Sequence, residues 1–375
     1  MAMTNFGKLL DNQQLAWGRR VWRAARNTSF VMKHFTGESE DAVFQRVTEL
    51  TETKKGTTAA VFTLVPDMEG DGTVGDNQLE GNEEELKAYD QTITFDQIRN
   101  ANRLEGRMAD LKSTVRFREN SMNVLKNWLA QRLDELAFLT MSGVSYQFHT
   151  NGATRVGSQF PLLDFAGDVT APTANRHYRF DATGGLMAAD TSAVAVGDIP
   201  TWDMFVDLKA IAEESFIRPT QTDDGLEFYT VFLHPRQMAA LKKDTKFIEA
   251  MKFARERGQG NVLFKGTGMG GTASGIYIDG LNLVTYRNVY NTKGAAAGSK
   301  WGGGAVDGAR ALLVGAQALA LADIGVPKWV EKDFDYDNSP GISVAKLIGF
   351  KKPVWRSAQT GTMEDFSIIC VDTAI

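Results

Sequence analysis

The sequence predicts an α+β protein organised around one long helix, and three stretches of the chain support this prediction. From Met108 to Ser142 there is no proline or glycine, and apolar residues recur every three or four positions, as on one face of a helix. Between residues 51 and 104, two β-rich segments flank an acidic, glycine-rich stretch, which predicts a long hairpin. From residue 201 onward, helical and strand patterns alternate in short segments. At 375 residues the chain is long enough to form two or more lobes.

Composition argues against several classes of function. The chain has 375 residues, 43% hydrophobic and 23% charged, as is typical of a globular protein with a sizeable core. A net charge of −5 argues against a protein whose main task is to grip nucleic acid. One cysteine, Cys370, and four scattered histidines give no metal-ligand spacing, so we expect no metal and no other cofactor. No apolar run approaches the roughly 20 residues that cross a membrane, so we expect no membrane association.

Residues 1–50 are predicted to form a basic N-terminal arm. From Asn12 to His34, aromatic or aliphatic residues alternate with arginines, which favours an amphipathic helix weakened by Gly18. The pattern indicates that this arm has little core of its own. Two interpretations remain open: a terminal helix that packs on its own domain, and an arm that docks onto a neighbouring chain or an acidic surface.

Residues 51–104 are predicted to form an extended β-hairpin loop. Its strands correspond to KKGTTAAVFTLVP and KAYDQTITFDQI, and residues 67–86 between them have eight acidic residues and no basic one. An isolated two-stranded hairpin is marginal in water, so we expect this element to lean on another surface. The segment from Asp67 to Gln78 resembles a calcium loop, but Gln78 replaces the bidentate glutamate, so we do not expect calcium binding.

Residues 105–143 are predicted to hold the long helix, which would span roughly 50 Å at 1.5 Å per residue. Its apolar stripe consists of Leu111, Val115, Met122, Leu125, Leu129, Leu133, Leu136 and Met141. Gly143 follows the last of these, where a left-handed cap ends a helix. Asp134 and Glu135 lie off the stripe, which favours solvated surface. The pattern alone leaves open whether the helix is an ordinary core element or a rigid spine.

The remainder of the chain is predicted to be a loop-rich insertion over residues 144–200 and a mixed region over 201–310. In the mixed region, Thr201 caps a helix that ends near Ser215, and the strand EFYTVFLH leads into a helix that begins at Pro235. A further helix is predicted from Thr245 to Arg257. Residues 311–375 return as strands: ARALLVGAQALALADIG as a strand that turns into a short helix, then GISVAKLIGFKKPVW and FSIICVDTAI.

The motifs of enzymes are missing or incomplete. Gly266, Gly268 and Gly271 have the spacing of a dinucleotide loop, but strands with a turn at Asp279-Gly280 follow, whereas the motif needs a helix to open there. No nucleophile motif occurs, and the adjacent carboxylate pairs point to different sides of their elements. We therefore predict that the chain is not an enzyme, with an α/β nucleotide-binding enzyme as the alternative.

Several blocks of this sequence resemble the major capsid proteins of tailed bacteriophages. Four blocks look like the capsid sequences of one branch, the short-tailed phages with a large virion-packaged RNA polymerase, and of related prophages. These blocks are VFLHPRQMAALKKDTKF, GIYIDGLNLVTYRNV, ARALLVGAQALALADIG and DYDNSPGISVAKLIGFKKPVW. The resemblance covers about residues 10 to 371. It implies the fold of tailed-phage and herpesvirus shell proteins, with a peripheral lobe that carries the spine helix and an axial lobe made mostly by residues 201–310. Residues 311–375 would return to both lobes.

The same resemblance implies a function. The chain would assemble with itself into hexamers and pentamers that form an icosahedral shell around double-stranded DNA, which it would contact on the inner face without sequence specificity. It would be made in the host bacterial cytoplasm, become part of the virion, and meet scaffolding, portal and decoration proteins. An encapsulin-like compartment is a second alternative. The charged arm and hairpin supply the predicted subunit contacts: Arg19, Arg20, Trp22, Arg23, Arg26, Asp67, Asp71, Asp76, Glu83, Glu84 and Glu85.

Overall fold

The computed structural model confirms an α+β protein. It describes residues 11–47, 59–64, 72–83, 89–106, 108, 117–221, 227–253, 276–336, 338–357 and 360–375. In this part of the chain the helices are α1 (Asp11–Thr28), α2 (Phe30–His34), α3 (Phe117–Ser142), α4 (Trp202–Glu214), α5 (Pro235–Leu241) and α6 (Thr245–Phe253). A four-residue turn of irregular helix spans Trp301–Gly304.

Two large sheets and two small ladders contain the described strands. The five-stranded sheet has the order β1 (Thr36–Gly37), β2 (Phe44–Val47), β13 (Leu319–Phe334), β14 (Ser339–Lys351) and β5 (Asp96–Arg103). The eight-stranded sheet has the order β10 (Ile276–Ile278), β11 (Leu281–Thr285), β9 (Glu227–Leu233), β12 (Gly308–Val314), β17 (Ile368–Ala374), β6 (His177–Asp181) and β7 (Gly185–Ala188), with β8 (Thr220–Gln221) beside β9. The ladders pair β3 (Ala59–Leu64) with β4 (Tyr89–Thr94), and β15 (Val354–Arg356) with β16 (Met363–Asp365).

The eight-stranded sheet is the middle layer between two hydrophobic cores. Because successive side chains of a strand point to opposite faces, its central strands supply both cores alternately. The core shared with α1, α2 and α3 receives Phe232, Leu312 and Cys370. The core shared with α4, α5 and α6 receives Val231, Leu313 and Ile369. This two-sided burial explains why almost every residue of β9, β12 and β17 is buried.

The long helix α3 ends where the sequence predicts. Gly143 has φ +65°, and the amides of Gly143 and Val144 donate to the carbonyls of Thr140 and Leu139 at 3.1 and 3.0 Å, which closes the helix by a left-handed cap. Residues 109–116 of the predicted helix lie outside the described residues. From Leu133 to Ser142 the helix is buried on every side. The expectation that Asp134 and Glu135 are solvated is therefore wrong, because the helix end is enclosed by both sheets and the loop after it.

The helix α1 of the predicted arm packs on its own chain. Its Val21, Trp22 and Ala25 are buried in the first core. A Cβ atom at Gly18 would lie 2.3 Å from the carbonyl oxygen of Pro327, so glycine lets the helix lie directly on a bulge of β13. The expectation of an arm with little core is therefore wrong for residues 11–34, and glycine at position 18 serves packing.

The described second strand of the hairpin predicted over residues 51–104 ends at Thr94. Its described strands β3 and β4 pair from Ala59 with Thr94 to Leu64 with Tyr89. The following strand β5 instead pairs with β14 at the edge of the five-stranded sheet. The predicted turn from strand to short helix at Gly315 is also wrong, because an alanine-rich strand, β13, follows β12. Alanine suits this strand because its residues up to Ala322 are buried on both faces.

The remaining elements largely follow the predicted pattern. The helix after Thr201, the strand before Pro235, and the turn at Asp279-Gly280 between β10 and β11 are present, and both turn residues have positive φ. Helix α6 is described to Phe253, and the rest of the predicted helix lies outside the described residues. The loop-rich segment 144–200 has one unpredicted feature: β6 runs parallel to β17 and extends the eight-stranded sheet.

Candidate subunit interfaces

The exposed side of α1 is basic. Arg19, Arg20 and Arg23 are exposed and Arg26 is half-buried, and these four residues are called the arginine face below. The other side of α1 lies on the core, which is why the arginines point outward. No ion pair joins the arginine face to an acidic residue in the part of the chain that the structure describes. Four guanidinium groups on one helix therefore have no internal countercharge there.

Trp22 lies on the opposite side of α1, inside its own chain. Only 6% of its surface is exposed. The ammonium of Lys346 lies 4.5 Å from the centroid of the Trp22 ring, and the guanidinium of Arg26 lies 5.7 Å from the same centroid. Both cations therefore make cation–π contacts with Trp22. Lys346 is itself buried between Asp323 and the carbonyls of β13. This placement leaves the arginines, and not Trp22, available to a neighbouring molecule.

The described part of the hairpin tip, residues 72–83, is acidic and exposed. Asp76, Glu80 and Glu83 all point to solvent, together with the apolar side chains of Val74 (76% exposed) and Leu79 (58% exposed). Within the tip, the Gly81 amide donates to Glu83 at 2.6 Å and the Asn82 amide donates to the Leu79 carbonyl at 2.9 Å. Asp67, Asp71, Glu84 and Glu85 lie outside the described residues.

The base of the same hairpin is firmly attached to the body. Lys351 donates to the carbonyl of Thr92 at 2.7 Å and pairs with Asp168 at 3.3 Å, and the amide of Thr94 donates to Asp168 at 3.0 Å. Ile93 is fully buried in a small core that also contains Trp355. The hairpin is thus held at one end, while its tip lies free of the described body.

Asp134 is a buried junction that sequence reasoning missed. Its carboxylate accepts hydrogen bonds from the Ser29 hydroxyl (2.6 Å), the amides of Phe30 and Val31 (3.0 and 3.1 Å) and the Tyr286 hydroxyl (2.6 Å). Burial raises the pKa of Asp134, although these donors act in the opposite direction. One carboxylate thereby links α3 to the start of α2 and to the segment after β11.

Two further charged clusters fix the end of α3. Arg310 on β12 donates to both carboxylate oxygens of Asp372 on β17, at 2.7 and 2.9 Å, and to the carbonyl of Ser142 at 2.7 Å. His177 contacts the same carboxylate at 2.8 Å. Burial alone would raise the pKa of Asp372, but Arg310 and His177 hold it below its usual value. On α3 itself, Glu135 pairs with Arg132 and with Arg155 of the following loop.

Among the described residues, Cys370 and His234 have chemically reactive side chains that serve the fold. Cys370 is buried, and burial raises the pKa of its thiol to about 12, so it is not a nucleophile at neutral pH. His234 caps α5, and burial lowers its pKa to about 4. Within the described ranges, no three histidine, cysteine or carboxylate side chains come together as a metal site. Each helix of these ranges is too short or too polar to span a bilayer.

Comparison with known proteins identifies the family of this chain. The sequence model of a family described as phage capsid protein matches residues 8–375. The chain belongs to this phage capsid protein family. It is also 50% identical over 375 residues to the major capsid protein of Pseudomonas phage KPP25, covering 99% of this chain and 97% of that relative.

Solved capsid structures share the fold of this capsid protein. The capsid of Ralstonia phage GP4 matches with a TM-score of 0.70 at 24% identity, over 92% of this chain and 91% of that chain. The capsid of cyanophage Pam1 matches with a TM-score of 0.65 at 16% identity, over 91% and 90% of the two chains. The predicted capsid fold is confirmed, and the protein is a structural, shell-forming component of the virion rather than an enzyme. The narrower phage branch stays a prediction.

Proposed function

We propose that copies of this capsid protein associate into hexamers and pentamers that close an icosahedral shell around double-stranded DNA. The observation that carries this proposal is the hairpin of β3 and β4, which is anchored at its base and exposes an acidic and apolar tip. A two-stranded hairpin is only marginally stable by itself in water. The exposed apolar side chains of Val74 and Leu79 stabilise the protein only when another surface covers them. In a ring of identical subunits the adjacent copy supplies such a surface.

The predicted subunit contacts belong to this proposal. Arg19, Arg20 and Arg23 of the arginine face and the acidic residues Asp76 and Glu83 are exposed, as a contact between copies requires. Trp22 is buried in its own chain, so we leave it out of the proposed contact. The division into a peripheral lobe, which carries α3, and an axial lobe, built around the second core, is likewise proposed.

The packaged DNA is proposed to lie against a wall without sequence-specific contacts. The net charge of −5 supports this, because a strongly basic wall would bind the phosphate backbone and hinder movement of the DNA. Assembly in the host bacterial cytoplasm, with scaffolding, portal and decoration proteins as further partners, completes the proposal.

Electron microscopy tests the proposal. The purified protein is imaged alone and after mixing with a candidate scaffolding protein, at matched concentration and ionic strength. We expect closed shells whose capsomers are hexamers and pentamers. A subunit that stays monomeric under both conditions contradicts the proposal.

The role of the hairpin is tested separately by removing residues 67–85. We expect a lower yield of closed shells and a lower disassembly temperature in scanning calorimetry. A second variant keeps the length of this segment but replaces it with glycine and serine, which separates the effect of reach from that of the side chains. Shells of normal yield and heat resistance from the deletion variant contradict the proposed role.

A further inference from the structure

We infer that the acidic tip of one subunit, residues 72–83, docks onto the arginine face of α1 in a neighbouring subunit. This inference rests on the proposed function, because it names the partner of the reaching hairpin. Both surfaces belong to the same chain, so every copy in a shell offers one donor and one acceptor of the contact. Such a head-to-tail contact closes naturally into rings.

The two surfaces match in charge. The tip has Asp76, Glu80 and Glu83 and no basic residue, whereas α1 carries four arginines and no acid after its first residue. None of these acids or arginines has an ion pair with a described residue of its own chain. Each surface therefore retains an unneutralised field, which attracts the other at a distance of about one Debye length or less, roughly 8 Å at physiological salt.

The two surfaces also match in their apolar content. Leu79 and Val74 are exposed between the acids of the tip. On α1, Leu15 is 47% exposed and stands one helical turn before Arg19, beside the exposed Ala16. A contact that covers these side chains also shields the ion pairs around them from water, which strengthens the attraction between the charges.

The fold separates the base of the hairpin from α1 within one chain. The hairpin base is bound to Lys351, which pairs with Ala320 in the ladder of β13 and β14. Helix α1 lies on the same strand at Pro327 and Trp329, whose ring stacks on Trp17 at 5.7 Å between centroids. Pro327 is seven positions along the strand from Ala320, which corresponds to at most about 23 Å at 3.3 Å per residue. No described contact joins the tip to α1, so the partner of each is placed in another copy.

Charge reversal followed by charge exchange tests the inference. The variant Arg19→Glu/Arg23→Glu reverses the arginine face, and Asp76→Lys/Glu80→Lys reverses the tip; Arg26 and Glu83 are kept because they have contacts within their own chain. The matched control, Lys243→Glu/Lys252→Glu, reverses two exposed cations near α5 and α6. All substituted side chains are exposed, and circular dichroism of the unassembled subunits verifies their folding. The measurement is the yield of closed shells in gradient sedimentation.

We expect each reversed variant to lose at least tenfold in shell yield, and the chain that carries both reversals to recover to within about twofold of the wild type. Equal yields from the wild type and both single reversals overturn the inference. Normal shells from the arginine variant that retain less DNA after packaging also overturn it and identify DNA as the partner. If the wild type itself forms no shells, the proposed function fails instead, so the two failures are distinguishable.

Cross-linking gives a measurement that does not depend on yield. Ala16→Cys in one preparation and Leu79→Cys in another are mixed, assembled and treated with a short bismaleimide; Cys370 is fully buried and does not compete. We expect a covalent dimer only in the mixed sample. Dimers absent from mixed shells, or equally abundant with Lys243→Cys in place of Ala16→Cys, overturn the inference.

Discussion

Replacing Asp134 by alanine tests whether this carboxylate holds the arm to the long helix. The substitution leaves four buried donors without their acceptor: the hydroxyls of Ser29 and Tyr286 and the amides of Phe30 and Val31. At about 1 kcal/mol or more for each, the loss is about 4 kcal/mol. The substitution also removes the cost of burying a carboxylate without a cationic partner, which offsets part of this loss. We expect a net loss of about 2–4 kcal/mol in the free energy of unfolding.

The measurement is urea unfolding of the unassembled subunit, followed by tryptophan fluorescence. Tyr286→Phe, which removes one donor, should cost about 1 kcal/mol, and Asp134→Asn, which keeps one acceptor oxygen, an intermediate amount. Burial raises the pKa of Asp134, so as the pH falls its carboxylate is protonated in the folded state before it is protonated in the unfolded state. The wild type should therefore gain stability relative to Asp134→Asn as the pH falls towards 4. Substitution of an exposed residue usually changes the free energy of unfolding by about 0.5 kcal/mol or less. An alanine variant whose free energy of unfolding lies within this range of the wild type refutes the reasoning.

Four further substitutions have defined outcomes in the same unfolding assay. Gly18→Ala places a Cβ 2.3 Å from the Pro327 carbonyl oxygen and should cost about 1–3 kcal/mol, whereas Gly167→Ala, with no atom within 4 Å of the new Cβ, should be neutral. Asp372→Asn leaves the Arg310 guanidinium buried without its countercharge and should cost about 3–5 kcal/mol. The folded-state pKa of His234 is lowered to about 4, so the wild type should lose stability as the pH falls from 6.5 towards 4; His234→Gln should lose less over that window.

Local chemistry made several elements predictable from the sequence. Gly143 ends α3 because only a residue that tolerates positive φ continues into the loop there. The pair Asp279-Gly280 forms a tight turn for the same reason. Pro235 begins α5, where its missing amide proton is not needed. These features depend on a few neighbouring residues, so they are visible without the fold.

Other elements depend on partners that are remote in sequence. Glu135 and Asp134 looked like solvent-facing residues of a helix, but their partners lie in the following loop and in the segments at Ser29 and Tyr286. The alanine-rich start of β13 resembled a helix, but it pairs as a strand with β2, which lies far earlier in the chain, and with β14, which follows it directly. In such cases tertiary burial overrides local propensity.

The candidate contacts divide in the same way. Alternating arginines predicted the amphipathic helix α1, and the structure places Arg19, Arg20 and Arg23 outside. The sequence could not reveal that Trp22 turns inward, because Lys346, the cation over its ring, comes from β14. The acidic tip was recognisable from composition alone, since eight acids without a base rarely have internal partners.

The buried charges lie where parts of the subunit meet, and this position suggests what they contribute. Asp134 joins α2, α3 and the segment after β11; Arg310 with Asp372 joins the end of α3 to the eight-stranded sheet; Lys346 with Asp323 lies beneath α1. Apolar packing could stabilise these junctions equally well, but it tolerates small rotations, whereas charged hydrogen bonds require defined directions. In a closed shell, the orientation of each contact between copies depends on the angle between the parts of the subunit. Directional junctions therefore favour a single shape of the subunit.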